Sequence, residues 1–247
     1  LSQAGFVAAA DEAEQLVASA AGNAALLGAL TDRRLSGEPL AWITGSASFC
    51  GMEIQVEPGV YVPRWQSEPL ARLAVRRLPA TGVAIDLCTG SGAIAAVLAA
   101  HRPGARVMAS ELDRRAVACA ELNGVDTYCG DLFDPLPGWL EGSADVVVGV
   151  VPYVPADALR LLPRDTLTFE SSLAYDGGRD GTDVLRRVLR DSPRFLRRGG
   201  VLLLELGGEQ ADALTDDLDH LGYADISVLI DEDGDARGIE AVHRGSG

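Results

Sequence analysis

The chain is predicted to fold as an α/β protein with a doubly wound, largely parallel sheet, an antiparallel edge hairpin, and a short N-terminal helical segment with its own β-hairpin. Three observations carry this prediction. From Val83 onward, short apolar runs alternate with stretches of helical periodicity. One run, Ala144 to Val151, is almost wholly apolar, as a central strand covered on both faces must be. The last two strand-like runs, Ile226 to Ile230 and Ile239 to His243, flank a tight loop around Asp231 and Gly234 that is too short for a crossover.

The elements follow in order. Phe6 to Leu35 is Ala-rich, with Leu16, Val17, Leu26, Leu27 and Leu30 at helical spacing and a break near Gly22. Gly37-Glu38-Pro39 ends it. Phe49 to Val62 alternates through Met52, Ile54 and Val56, then Val60 and Val62 beyond Pro58-Gly59, and predicts a β-hairpin. Ser67 to Leu78 carries a helical stripe at Leu70, Leu73, Ala74 and Leu78. Val83 to Leu87 is a buried strand, followed after a Gly-containing turn by a helix over Ala93–Ala100 that Pro103 stops. Arg106–Ser110 is the second strand, and Asp113 opens a helix reaching Leu122. Val125–Tyr128 is a short third strand. Thr182–Leu196 predicts a helix, Val201–Glu205 a strand, and Glu209–Leu221 a further helix. The organisation expected is a helical segment over 1–45, a connecting hairpin over 46–62, and a Rossmann-like domain over 63–247.

Composition narrows the function classes. The 247 residues, 47% hydrophobic and 23% charged, can bury a sizeable core. A net charge of -15 disfavours nucleic acid as a partner, because that binding relies on cations neutralising phosphates. The Arg-rich run Arg186, Arg187, Arg190, Arg194, Arg197 and Arg198 reads as a solvated helix face with cations toward the C-terminus. All the cations are Arg; no Lys occurs. Cys50, Cys88, Cys119 and Cys129 lack C-x-x-C spacing, which suits free thiols in a reducing cytoplasm. With three His, no metal-ligand cluster is expected. No apolar run reaches membrane-spanning length, and no signal peptide is visible. Leu1 in place of Met implies residues upstream, and the closing Gly-Ser-Gly reads as a cloning remnant.

Two regions carry chemistry. Asp86-Leu87-Cys88-Thr89-Gly90-Ser91-Gly92 follows a strand and opens a helix, and Gly90 and Gly92 let the backbone turn sharply against a ligand. Glu111 ends the next strand about 20 residues on, where an acid can accept from both ribose hydroxyls. Asp131, after the third strand, can accept from an adenine amino group. The fingerprint lacks its third glycine. That is unhelpful for a pyrophosphate and no obstacle for S-adenosylmethionine, which has no phosphates. The second region is Val150-Val151-Pro152-Tyr153, which ends an apolar strand in Pro-Tyr. Enzymes that methylate planar nitrogens carry Asn-Pro-Pro-Tyr there, and the Asn helps accept hydrogens from the target nitrogen.

On these residues the chain resembles the HemK/PrmC family of protein-glutamine N5-methyltransferases, from about Gly37 to the C-terminus. Leu40-Ala41-Trp42-Ile43-Thr44-Gly45 is similar to the family's segment leading into its hairpin. Val62-Pro63-Arg64-Trp65-Gln66-Ser67-Glu68 is similar to Ile-Pro-Arg-Pro-x-Thr-Glu, Asp86–Gly92 to Asp-Leu-Gly-Thr-Gly-Ser-Gly, and Asp176–Gly181 to the family's Gly-Gly-x-Asp-Gly stretch. The resemblance implies a class I methyltransferase fold with S-adenosylmethionine held by Arg64, Asp86, Cys88, Thr89, Gly90, Gly92, Glu111, Leu112, Asp131 and Leu132, and S-adenosylhomocysteine as product. It implies an acceptor site formed by Tyr153, Pro152, Val150, Glu68 and Glu170, with Trp65, Phe49 and Val151 in the substrate pocket. The departures fall on that site: Trp65 stands for Pro, Val150 for Asn, Val151 for a small residue or Pro, and Ser171 for the Pro of Glu-Pro. Valine accepts no hydrogen bond, and an amide held against it unpaired would cost about 1–3 kcal/mol per group. The expectation is a methyltransferase with a changed acceptor, a small molecule or a protein side chain with fewer donors. The alternatives are other chemistry on the same cofactor, such as aminocarboxypropyl transfer or cyclisation, and a catalytically silent cofactor-binding protein.

Overall fold

The computed structural model describes residues 1–162 and 164–245, so the closing Ser246 and Gly247 lie outside the described residues. Helices α1 (Ala9–Ala20) and α2 (Ala24–Leu35) form the start of the chain, broken near Gly22 as the sequence predicts. Asn23 caps α2 by accepting from Leu26 N at 3.1 Å. A short α3 (Leu40–Thr44) leads into a hairpin of β1 (Ser46–Phe49) and β2 (Met52–Gln55), turning at Cys50-Gly51. The hairpin is shorter than expected: Val60 and Val62 are not strand. The chain reverses at Cys50-Gly51 instead of Pro58-Gly59, with both residues in the left-handed region (φ 51 and 79), and the Asn123 side chain binds Gln55 N and O at 2.9 Å each. Val60 instead packs inward, and its carbonyl accepts from Trp42 Nε1 at 2.9 Å.

The main sheet comprises β3 (Val83–Leu87), β4 (Arg106–Glu111), β5 (Asp126–Cys129), β6 (Ala144–Gly149), β7 (Leu196–Glu205), β8 (Tyr223–Ile230) and β9 (Ala236–His243), in the order β5-β4-β3-β6-β7-β9-β8. The first five pair in parallel, and β9 runs antiparallel to both β7 and β8. The doubly wound sheet with its antiparallel edge hairpin is thus the one predicted. Between the strands run α4 (Glu68–Arg77), α5 (Ala93–His101), α6 (Arg114–Leu122), α7 (Arg164–Phe169) and α8 (Asp183–Phe195). Asp113 caps α6, accepting from Arg115 N at 2.9 Å. The helix expected over Glu209–Leu221 is split at Leu214 into α9 (Gln210–Ala213) and α10 (Thr215–His220), with Leu214 buried between them.

The period of two sorts the central strands onto two cores. Ile85, Leu87, Val147, Leu202 and Leu204 pack on one face with α8, while Ala84, Val146, Val148, Val201 and Leu203 pack on the other with α4 and α5. Strand order reverses beside β3, which has β4 on one side and β6 on the other. Open α/β sheets bind ligands at such a point, outside the carboxyl ends of the strands. Leu87 is in register with Gly149, so the Cys88–Gly92 turn and the Val150–Tyr153 turn leave the sheet side by side.

Candidate active site

A cleft open to solvent lies at that point. Its walls include the turn after β3 (Asp86, Cys88, Thr89, Ser91), Phe49 from the hairpin, Tyr61, Arg64 and Ser67 from the segment before α4, and Val150 after β6.

The turn is built by its own side chains. Asp86 is buried, and its Oδ2 accepts from Thr89 Oγ1 at 2.6 Å and Ala95 N at 3.1 Å, tying the turn to the first residues of α5. Burial pushes the Asp86 carboxyl up to about 7, against the pull of those two hydrogen bonds. Cys88 occupies the left-handed region at φ 53, where the family has Gly. Its thiol is pushed up by burial, with the nearby Glu111 and Asp86 adding to the rise. Gly92 at φ 82 is needed for space as well, since a Cβ there would lie 2.9 Å from Val125 and 3.0 Å from Ala120 of α6. Around Gly90 the space is open apart from Tyr61 Cβ at 4.0 Å.

Glu111 reaches this turn from β4. Its Oε2 accepts from Gly90 N and its Oε1 from Asp113 N, both at 2.9 Å. Each carboxylate oxygen keeps a second lone pair for a ligand hydroxyl. Leu112, next to it, is exposed. Asp131 accepts from Arg187 of α8 at 2.6 Å through Oδ2, a partner the sequence did not suggest. Leu132 is buried at φ 46, a left-handed backbone that costs a leucine about 1–2 kcal/mol.

On the acceptor side the expected residues separate. Phe49 is buried and Val150 half-buried, and both line the cleft. Trp65 is 73% exposed at the residue after Arg64. Val151 points into the core and is 1% exposed, so it packs the sheet rather than the cleft. Glu68 does not line the cleft either: its Oε1 accepts from Cys50 N at 2.9 Å and its Oε2 from Arg72 at 2.7 Å, holding the hairpin turn that presents Phe49. The geometry is natural for an acid at the first position of α4, one turn before Arg72.

Glu170 is buried and pairs with Arg64 at 2.6 Å, and Tyr175 donates to its second oxygen. The Arg64 guanidinium also lies over the Tyr61 ring, which meets Tyr175 edge to face at 5.6 Å. Burial pulls Arg64 down most strongly, but Glu170, Tyr175 and Tyr61 together outweigh it and hold the guanidinium above its ordinary value.

The Pro152-Tyr153 turn is gripped by the glycine-rich stretch that follows α7. Val154 N donates to Tyr175 O at 2.8 Å, and Gly177 N to Val154 O at 3.0 Å. A Cβ on Gly177 would lie 2.7 Å from Tyr153 Cα, and one on Gly181 would collide with the Tyr153 carbonyl and the Gln210 side chain. Gln210 Nε2 donates to the Tyr153 carbonyl at 2.7 Å. The Tyr153 hydroxyl donates to Glu205 Oε1 at 2.9 Å. Glu205, Ser67, Tyr61 and Tyr175 were not singled out from the sequence. A signal existed for Glu205: it is an acid ending an apolar strand at the same edge of the sheet as Glu111.

Among the described residues, no helix is long and apolar enough to cross a membrane, and no group of three His, Cys, Asp or Glu could hold a metal. Residues 51–129 match the model of the family "Methyltransferase small domain". A release factor glutamine methyltransferase of Geobacter sulfurreducens is 35% identical over 211 residues, covering 83% of this chain and 73% of its own. A 4-amino-L-phenylalanine/4-methylamino-L-phenylalanine methyltransferase of Streptomyces pristinaespiralis is 38% identical over 189 residues, covering 72% and 64%. The fold is similar to the crystal structure of a methyltransferase from Pyrococcus furiosus, with TM-score 0.56, 19% identity, and coverage of 87% and 98%.

Proposed function

The chain belongs to the family of release factor glutamine methyltransferases, and from that premise we propose that it methylates the nitrogen of a small aromatic amine rather than a glutamine carboxamide. S-adenosylmethionine, the cofactor of this methyltransferase, supplies a sulfonium methyl group to the acceptor nitrogen. The residues present fit it. The open backbone at Gly90 admits a ligand without a Cβ in the way, and Glu111 has lone pairs left for ribose hydroxyls.

The observation that carries the acceptor reading is Val150 in the cleft wall, at the position of the family's acceptor-binding Asn. A carboxamide nitrogen gives its lone pair to the amide resonance, so it needs carbonyl oxygens pulling on its hydrogens before it can attack. The valine side chain offers none, and an amide N–H left dry against it would cost about 1–3 kcal/mol. An aromatic amine is neutral at pH 7 and keeps more of its lone pair, so positioning alone can aim it at the methyl group. The cleft supports a flat apolar body: Phe49, Tyr61, Pro63 and Ile94 line it with Val150. The relative from Streptomyces pristinaespiralis, whose name specifies an aromatic amine, supports the same reading.

The test supplies S-adenosylmethionine with either 4-amino-L-phenylalanine or an intact bacterial release factor, and follows S-adenosylhomocysteine and acceptor mass. The amine is expected to gain methyl groups and the release factor to stay unmodified. V150N is expected to lower amine turnover about tenfold, because a polar wall displaces the apolar ring edge. Methylation of the release factor at equal or greater kcat/KM would overturn the proposal. Methylthioadenosine as the product would overturn methyl transfer altogether.

A further inference from the structure

Two buried polar atoms beside the cleft lack a hydrogen-bond partner: Ser67 Oγ and Glu205 Oε2. Ser67 is 3% exposed and lines the cleft with Tyr61 and Val150. It stands at the position before α4 where a serine ordinarily caps the helix, yet its side chain makes no capping bond. Its hydroxyl instead faces the Glu205 carboxyl, without an ordinary hydrogen bond to it. Glu205 is 5% exposed, and Tyr153 holds its other oxygen in place. Ser67 and Glu205 are neighbours, close enough for the hydroxyl to ease the carboxyl's charge. Ser67 Oγ, in the cleft wall, is thus left for a ligand group to complete, with Glu205 behind it.

We infer that Ser67 Oγ accepts the hydrogen of the acceptor nitrogen, and that Glu205, through Ser67, receives the proton set free by methylation. This deepens the amine reading and rests on it. The nitrogen lone pair forms the new C–N bond as the S–C bond breaks, and that bond's electron pair stays on sulfur, neutralising the sulfonium. The nitrogen is left with one proton too many and a positive charge. That proton passes to Ser67 Oγ as the serine's own proton moves to Glu205 Oε2. The amine ends neutral and the carboxylate becomes a carboxylic acid. Ser67 touches the substrate; Glu205 acts through it and is a positioning residue. The groups facing Glu205 are the Ser67 and Tyr153 hydroxyls, the Tyr61 phenol and, on β9, Arg237. Burial outweighs the hydroxyls and Arg237 and raises its carboxyl above the ordinary glutamate value.

The test compares S67A, S67T and E205Q with the unaltered enzyme on both acceptors named above, together with calorimetric cofactor affinity and the infrared band of protonated carboxyl. S67A and E205Q are expected to lower kcat about 10²-fold at unchanged cofactor affinity, and S67T, which keeps the hydroxyl, to restore most of it. The acid limb of the kcat profile is expected to move to lower pH in E205Q. A carboxyl band that titrates above the ordinary glutamate range is expected to vanish in the same variant. S67A is a small change at a helix start and reports even if E205Q misfolds. If the unaltered enzyme methylates an acceptor and S67A does so equally fast, this inference alone falls. If it methylates neither acceptor, the amine reading falls and takes this inference with it.

Discussion

Valine at position 150 and serine at position 67 show how much of the site turns on single side chains. One removes a hydrogen-bond acceptor from the cleft wall, and the other leaves a hydroxyl there without a partner. Asp86 makes a further case. Its identity at the end of β3 was legible, because an acid before a Gly-rich turn is a recognisable pattern. What it does was less so: Oδ2 is occupied by Thr89 and Ala95, so much of its work is holding the turn. The folded carboxyl titrates at about 7, against 3.8 for a free one. Between those values the folded chain holds a proton that the unfolded chain has lost. This group's contribution to stability is therefore greatest below the lower value and declines as pH rises through the window. The slope from this one group is at most about 1.4 kcal/mol per pH unit. Urea unfolding of the ligand-free protein across that window is expected to show the decline, and D86N to flatten it. Parallel curves for the two proteins would refute the assignment.

At the scale of elements, the glycine-rich stretch from Asp176 to Gly181 acquires a physical role. The sequence offered it only as a resemblance. In the fold, Gly177 and Gly181 let one backbone run against another at the Tyr153 turn, where any Cβ would intrude. G181A is expected to destabilise the protein by about 3 kcal/mol or more, from positive φ and overpacking together, and to depress turnover by displacing Tyr153. G208A, also at positive φ but with nothing within 4 Å, is expected to show the backbone cost alone, about 1–2 kcal/mol. Denaturation midpoints separate the two, and equal losses would deny the close approach. Most elements could be read in advance because their apolar period was strong, as in β6 and α8. The hairpin and the Glu209–Leu221 helix could not be bounded: the hairpin turns at Cys50-Gly51, where Cys50 takes a positive φ that its sequence does not announce, and Leu214 is pulled into the core.

For the whole molecule, charge is the broadest property. The net charge of -15 is spread so that most of the Arg-rich run is already spoken for. Arg186 pairs with Asp217, Arg187 with Asp131, Arg190 with Asp191, Arg194 with Glu141 and Arg197 with Asp145. Exposed pairs of this kind add little stability, but they remove the free cations that phosphates would need. The protein is expected to leave the anisotropy of labelled duplex DNA and of single-stranded RNA unchanged at physiological salt; micromolar binding to either would contradict this.

The sequence alone determined the sheet and its windings, the edge hairpin, the Gly-bearing turn and the acids at the strand ends. Each of these is written in a local period or a short spacing that a few neighbouring residues can carry. The tertiary structure decided which polar groups meet. It sent Glu68 to the hairpin turn, Arg187 to Asp131, and Tyr153 to a carboxylate 52 residues away. It also brought Ser67 Oγ up to the free oxygen of Glu205, with no ordinary hydrogen bond to either atom. A hydrogen bond is settled by where two atoms arrive after the strands have been ordered and the helices packed, and no local pattern in the chain encodes that arrival.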